Sequence, residues 1–136
     1  MSEQRNALQT ALEHWNAGDL AGYLDLYDER IRLYGYSPAP MGKEEVRDFY
    51  EAIFDAFEGP QLEFHETLWE AERCAIRFTM SGTHVGTFMG VPATGRPVAL
   101  AGITILHFEG LQVIERHSSA DMLGLLVSLG AVPPPA

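Results

Sequence analysis

The hydrophobic pattern of this chain shifts from mainly helical to mainly alternating spacing at Gly59-Pro60, and that change restricts the folds open to it. Before it, apolar residues recur at helical spacing: Leu8, Leu12 and Trp15, then Leu20, Tyr23, Leu24 and Tyr27, then Val46, Tyr50, Ile53 and Phe57. After it, apolar and polar residues alternate as they do in half-buried strands. The pattern predicts a first helix capped by Ser2 and stopped by Gly18, a second, shorter one capped by Asp19, and a third from Lys43 to about Phe57. Ile31-x-Leu33-x-Gly35 reads as a short strand, and residues 37–42 as a loop. Strands are expected near 61–71, 74–84, 97–108 and 111–120, followed by a last helix around Met122, Leu125, Leu126 and Leu129. Helices first, strands afterwards and no alternating crossovers give an α+β fold built on an antiparallel meander, not a doubly wound parallel sheet. One domain is expected over residues 1–131, with 132–136 a disordered, proline-rich tail.

Charge divides the chain as sharply as periodicity does. Residues 1–72 hold sixteen Asp and Glu against five Lys and Arg, whereas the remainder holds only Glu109, Glu115 and Asp121 against four Arg. The net charge of −10 therefore belongs to the first half, and it would repel phosphate backbones and anionic lipid, so neither nucleic acid nor a membrane is an expected partner. The opening segment lacks the apolar core of a secretory signal, and no stretch approaches the roughly 18 apolar residues of a membrane span. A cytoplasmic location is expected. The single cysteine, Cys74, alternates with Ile76 and Phe78 and reads as a small core residue.

The acid-poor second half isolates one carboxylate, Asp121, near several histidines. His84 ends the apolar face Cys74, Ile76, Phe78, Met80, and reads either as a hydrogen-bonded core histidine or as part of a pocket wall. His107 shares a strand face with Ala101, Ile103 and Ile105, while Leu100, Gly102, Thr104 and Leu106 take the other. Both faces are largely apolar, which predicts a sheet covered on both sides, by helices and by a second copy of the chain. On the returning strand Val113, Glu115, His117 and Ser119 alternate with Ile114, Arg116 and Ser118. Register decides whether His107 and His117 face one cavity, and turn length leaves it open. Asp121 precedes the last helix, where it suits an N-cap as well as a general base. The histidines show no close paired spacing of the H-x-x-x-H kind, so no metal site is expected.

The runs Gly82-Thr83-His84-x-Gly86-x-Phe88-x-Gly90 and Ala93-Thr94-Gly95-Arg96-x-Val98, with Glu115, Asp121 and Leu129-Gly130, carry a resemblance. Together with Trp15-Asn16-x-Gly18-Asp19 and Gly42-Lys43-Glu44, they make the chain similar to the SnoaL-like polyketide cyclases of the nuclear-transport-factor-2-like superfamily. The resemblance implies a cone-shaped α+β barrel around one apolar pocket, dimerising through the outer face of its sheet. It implies ring closure by intramolecular aldol condensation without metal or organic cofactor, on an apolar, carbonyl-bearing substrate. The residue matching the family's general acid–base is Asp121. His117 and His107 stand where many relatives have tryptophan and arginine, and could donate to a carbonyl or enolate oxygen. Trp15, Tyr34, His84, Phe88 and Met89 are the candidate pocket wall, with core packing as their alternative. Other functions open to such a cone are opening of an epoxide by water, non-catalytic carriage or sensing of an apolar ligand, and protein interaction through a filled cavity.

Overall fold

The structure, a computed structural model, describes residues 2–134. The side chain of Ser2, expected to cap the first helix, lies outside that description, as do Pro135 and Ala136 of the expected tail. The elements run α1 (Ser2–Asn16), α2 (Leu20–Leu24), β1 (Tyr27–Tyr34), α3 (Lys43–Ala56), β2 (Phe57–Glu70), β3 (Arg73–His84), β4 (Pro97–Glu109), β5 (Gln112–Ala120) and α4 (Met122–Ser128). Gly18, at φ +80°, ends the first helix, and the Asp19 side chain accepts the Gly22 N–H at 2.9 Å to start the second, as the sequence predicts.

The five strands form one curved sheet in the order β1-β5-β4-β3-β2. β2 to β5 are an antiparallel meander, and β1 joins its end by running parallel to β5. Leu8, Trp15, Val46, Tyr50 and Ile53 from the helices pack with Ile76, Phe78, Leu100 and Leu106 from the sheet in one core. On the opposite face Ile103 and Ile105 stay 55% and 42% exposed, so the chain by itself leaves that face uncovered. Among the described residues no helix is long and apolar enough to cross a membrane.

Two boundaries differ from the sequence expectation. Tyr27 opens β1 instead of closing α2, because pairing with Val113 competes successfully with a helix of five residues. Its i, i+4 relation to Tyr23 survives as a hydrogen bond of 2.9 Å between the two hydroxyls. β2 begins at Phe57, before Gly59-Pro60, and its register on β3 slips between Glu58 and Gln61. β2 is an edge strand, where such an irregularity accommodates a proline that a central strand could not.

A second irregularity determines which residues reach the interior. Glu115 lies opposite His107 and Val113 opposite Phe108, so Ile114 is an extra residue in β5. The bulge interrupts alternation: Val113 and Arg116 are both buried, whereas Glu115 and His117 turn to the outer face.

Candidate functional site

Between the concave face of the sheet and the helices lies a cavity of about 50 Å³. Its wall is mostly aromatic and aliphatic: Trp15 from α1, Phe49 and Ile53 from α3, Phe78 and Met80 from β3, and Leu125 from α4 are representative. Gly102 helps to shape it, since a Cβ there would stand 2.7 Å from Phe78 Cζ and drive that ring from its place. Polar atoms come from Trp15, Tyr23, Tyr36, Tyr50, Thr104 and Arg116.

Arg116 is the exceptional member of this wall. Its Nε donates to Thr104 Oγ1 at 2.9 Å, and its Nη1 donates to the hydroxyls of Tyr27, at 2.6 Å, and Tyr50. Tyr27 and Tyr50 are themselves bonded at 2.9 Å, and Tyr23 completes the phenolic chain. Phe78 lies beneath the guanidinium, 5.8 Å from Cζ to the ring centroid. No carboxylate among the described residues pairs with Arg116, and none of those residues accepts from Nη2. Burial works against the charge, but the phenols of Tyr27, Tyr50, Tyr23 and Tyr36 outweigh burial, and the guanidinium stays well above its usual range. Burial holds the hydroxyls of Tyr23 and Tyr50 well above the ordinary phenol range, against the opposing pull of Arg116. The cavity therefore presents a cation held by hydroxyls, with a donor to spare. The indole N–H of Trp15, in the same wall, is buried and meets no acceptor among the described residues. Buried donors of this kind suit an incoming oxygen.

The residues expected from sequence divide among three places. Trp15 and Phe88 line the cavity. His84 is fully buried and outside the cavity wall; its Nδ1 takes the Thr94 N–H at 3.2 Å and contacts Thr94 Oγ1 at 3.0 Å, tying down the turn that follows β3. Met89 is 62% exposed in that turn. Tyr34 stacks on His117 at 4.5 Å between ring centroids, on the outer face. His107 and His117 do share one site, but on the outer side of the sheet, where both approach Glu115. Asp121 is exposed and caps α4, accepting the Gly124 N–H at 2.8 Å, beside an outer groove lined by His65, Thr79, Ala101 and Ser119. Neither histidine pairs with it. The structure thus keeps Asp121, His107 and His117 apart from the cavity; on β5 the bulge at Ile114 turns Arg116 inward in place of Glu115 and His117.

With this geometry in view, residues 5–129 match the profile of the SnoaL-like polyketide cyclases. The chain belongs to that family. Among solved structures this SnoaL-like chain is similar to AclR, a proposed hydroxylase from Streptomyces galilaeus, at 30% identity and a TM-score of 0.90, covering 100% of this chain and 86% of the other. It is similar to TsrD from Streptomyces laurentii at 26% identity and a TM-score of 0.85, covering 96% and 97%. It shares its fold with IdmH, a proposed polyketide cyclase from Streptomyces antibioticus, at 21% identity and a TM-score of 0.79, covering 93% and 98%. Curated proteins give no match. The SnoaL-like fold read from the glycine-rich runs is thereby established, while the cavity's one cation escaped the sequence reading. Its trace there was Thr104, a polar residue inside an apolar stripe, on the strand paired with that of Arg116.

Proposed function

We propose that this SnoaL-like protein promotes enolisation and ring closure of a small, apolar, carbonyl-bearing molecule, with Arg116 stabilising the enolate oxygen. The observation that carries this reading is the buried guanidinium in the cavity wall, bonded only to hydroxyls and lacking a carboxylate partner. An α C–H bond of the substrate breaks, its electron pair moves onto the carbonyl oxygen, and that oxygen accepts from Nη2. The enolate carbon then bonds to a second carbonyl carbon, and the new alkoxide takes up a proton. A preorganised donor aimed at a developing oxyanion is typically worth about 10²–10³ in rate. Desolvation in the apolar wall strengthens the interaction further.

Asp121 is the base in this reading once its hydrogen bond to Gly124 opens and its carboxylate turns from the outer groove toward the cavity that Met122, the next residue, already lines. The outer stripe of Ile103 and Ile105 supports a homodimer through that face. Hydroxylation, the activity proposed for AclR, would start from the same enolate and would consume an oxidant; a product heavier by one oxygen distinguishes it from ring closure.

The test is solvent deuterium exchange at the α-carbon of 2-indanone, followed by proton NMR. The wild-type chain is expected to accelerate exchange, and Arg116→Met to lose about 10²-fold or more. Equal rates for the two proteins would refute the role of Arg116. A loss of tenfold or less in a folded Asp121→Asn would remove Asp121 as the base.

A further inference from the structure

The outer face of the sheet holds a second constellation, unconnected with the cavity. His107 on β4 and Glu115 on β5 are directly paired across the two strands, and His117 follows two residues later on the same face. Glu115 Oε2 lies 3.4 Å from His107 Nδ1 and 3.1 Å from His117 Nε2. One ligand atom from each of the three residues lies within 4.8 Å of the others. Bond lengths of about 2.0–2.2 Å around a tetrahedral zinc ion put neighbouring ligand atoms ~3.3–3.5 Å apart. Two of the three separations are thus already near those a metal imposes, and the third needs only side-chain rotation. β4 and β5 are interior strands of the sheet, which fixes the backbone beneath the cluster. Tyr34 stacks on His117 with only 5° between the rings and holds that imidazole in its plane.

We infer that His107, Glu115 and His117 form a divalent-cation site of the two-histidine, one-carboxylate kind, for which zinc suits the donors and the spacing. Three protein ligands leave at least one coordination position for water or a further donor. Arg32, opposite Glu115 on β1, and Arg73, opposite His107 on β3, flank the cluster. Arg32 donates from its Nη1 to the Ile31 carbonyl. These two cations weaken the hold on a dication compared with a site of uncompensated charge. The spacing of the histidines along the chain concealed this arrangement, because its ligands meet across a hairpin and not along a helix. It stands on the opposite side of the sheet from Arg116, so its success or failure leaves the proposed enolisation untouched.

The test uses the tag-free, full-length chain, stripped with a chelator and titrated with Zn²⁺ in competition with a chromophoric chelator. One ion per chain is expected, with a dissociation constant on the order of micromolar or tighter. Co²⁺ in its place should give the intense visible bands of a low-symmetry, four- or five-coordinate ion. His107→Ala and His117→Ala should each weaken Zn²⁺ binding tenfold or more, and Glu115→Gln should do the same while preserving shape and fold. His65→Ala, which removes a histidine paired with Glu63 elsewhere on the sheet, should leave it unchanged. Absence of bound Zn²⁺ at 100-fold excess, or binding that the Glu115→Gln and histidine variants leave intact, would overturn the assignment.

Discussion

Replacing Arg116 by methionine separates a structural role from a role toward ligand, because the two predict opposite balances. Methionine nearly fills the space and removes the charge with its three hydrogen bonds. The partners it leaves are not orphaned: Tyr27 still bonds Tyr23 and Tyr50, and Thr104 still bonds Ser118 and the His117 carbonyl. Three charge-assisted bonds at about 1.5–3 kcal/mol each are lost, against a desolvation penalty of several kcal/mol that is relieved. The two nearly cancel, and the stability of Arg116→Met in urea is expected to lie within about 2 kcal/mol of wild type. Binding behaves differently. A phenolate oxygen about 4 Å from the guanidinium gains about 4 kcal/mol at an effective dielectric constant of about 20. That corresponds to roughly three pKa units, and partial desolvation of the anion reduces it to about one or two. The assay is the pH dependence of 4-nitrophenol binding, an aromatic enolate mimic, read from its phenolate absorbance. In the wild-type chain the bound phenol should titrate about one to two units lower than in water; in Arg116→Met that lowering should vanish. A variant destabilised by more than about 4 kcal/mol that still favours the phenolate would refute the reasoning and leave Arg116 a structural residue.

Two other outcomes are expected elsewhere in the molecule. Ile103, exposed at the centre of the outer stripe, should lie in a contact between two copies, so the wild-type chain should sediment as a dimer and Ile103→Lys as a monomer. A wild-type monomer at micromolar concentration would contradict the contact. Burial pushes the Cys74 thiol up to about 11. The unfolded thiol ionises from about 8.5, so between the two values the unfolded chain gives up a proton that the folded one retains, and stability falls as pH rises. Urea denaturation at pH 8 and 10 should show a steeper decline for wild type than for Cys74→Ala; parallel declines would show the thiol to be free of that constraint.

Periodicity made the order of elements legible because helices and long strands impose repeats of 3.6 and 2 on any buried face. It grouped Ile76, Phe78 and Met80 on one face of β3, and Thr104 with Leu100 and Leu106 on one face of β4, and all six are buried. The same rule failed where one residue was added. With strict alternation the apolar Val113 draws Glu115 and His117 inward after it; the bulge at Ile114 exchanges them for Arg116 and Ser118. Nothing local to β5 announces that bulge, since it arises from pairing with a strand on the far side of a turn. Tyr27 was misplaced for a related reason: its spacing from Tyr23 is helical, but its pairing with Val113 is long-range. Asp121 shows the limit of reasoning from residue type, for a carboxylate before an apolar helix suits a cap and a base equally until its neighbours are known.

A crystal structure of the chain with 4-nitrophenolate bound tests the role of Arg116 most directly. The expected complex has the ring against Trp15 and Phe78, and the phenolate oxygen within about 3 Å of Nη2 of Arg116, completing the guanidinium's hydrogen bonds. A ligand seated in the outer groove beside Asp121, or one in the cavity with its oxygen turned away from Arg116, would contradict it.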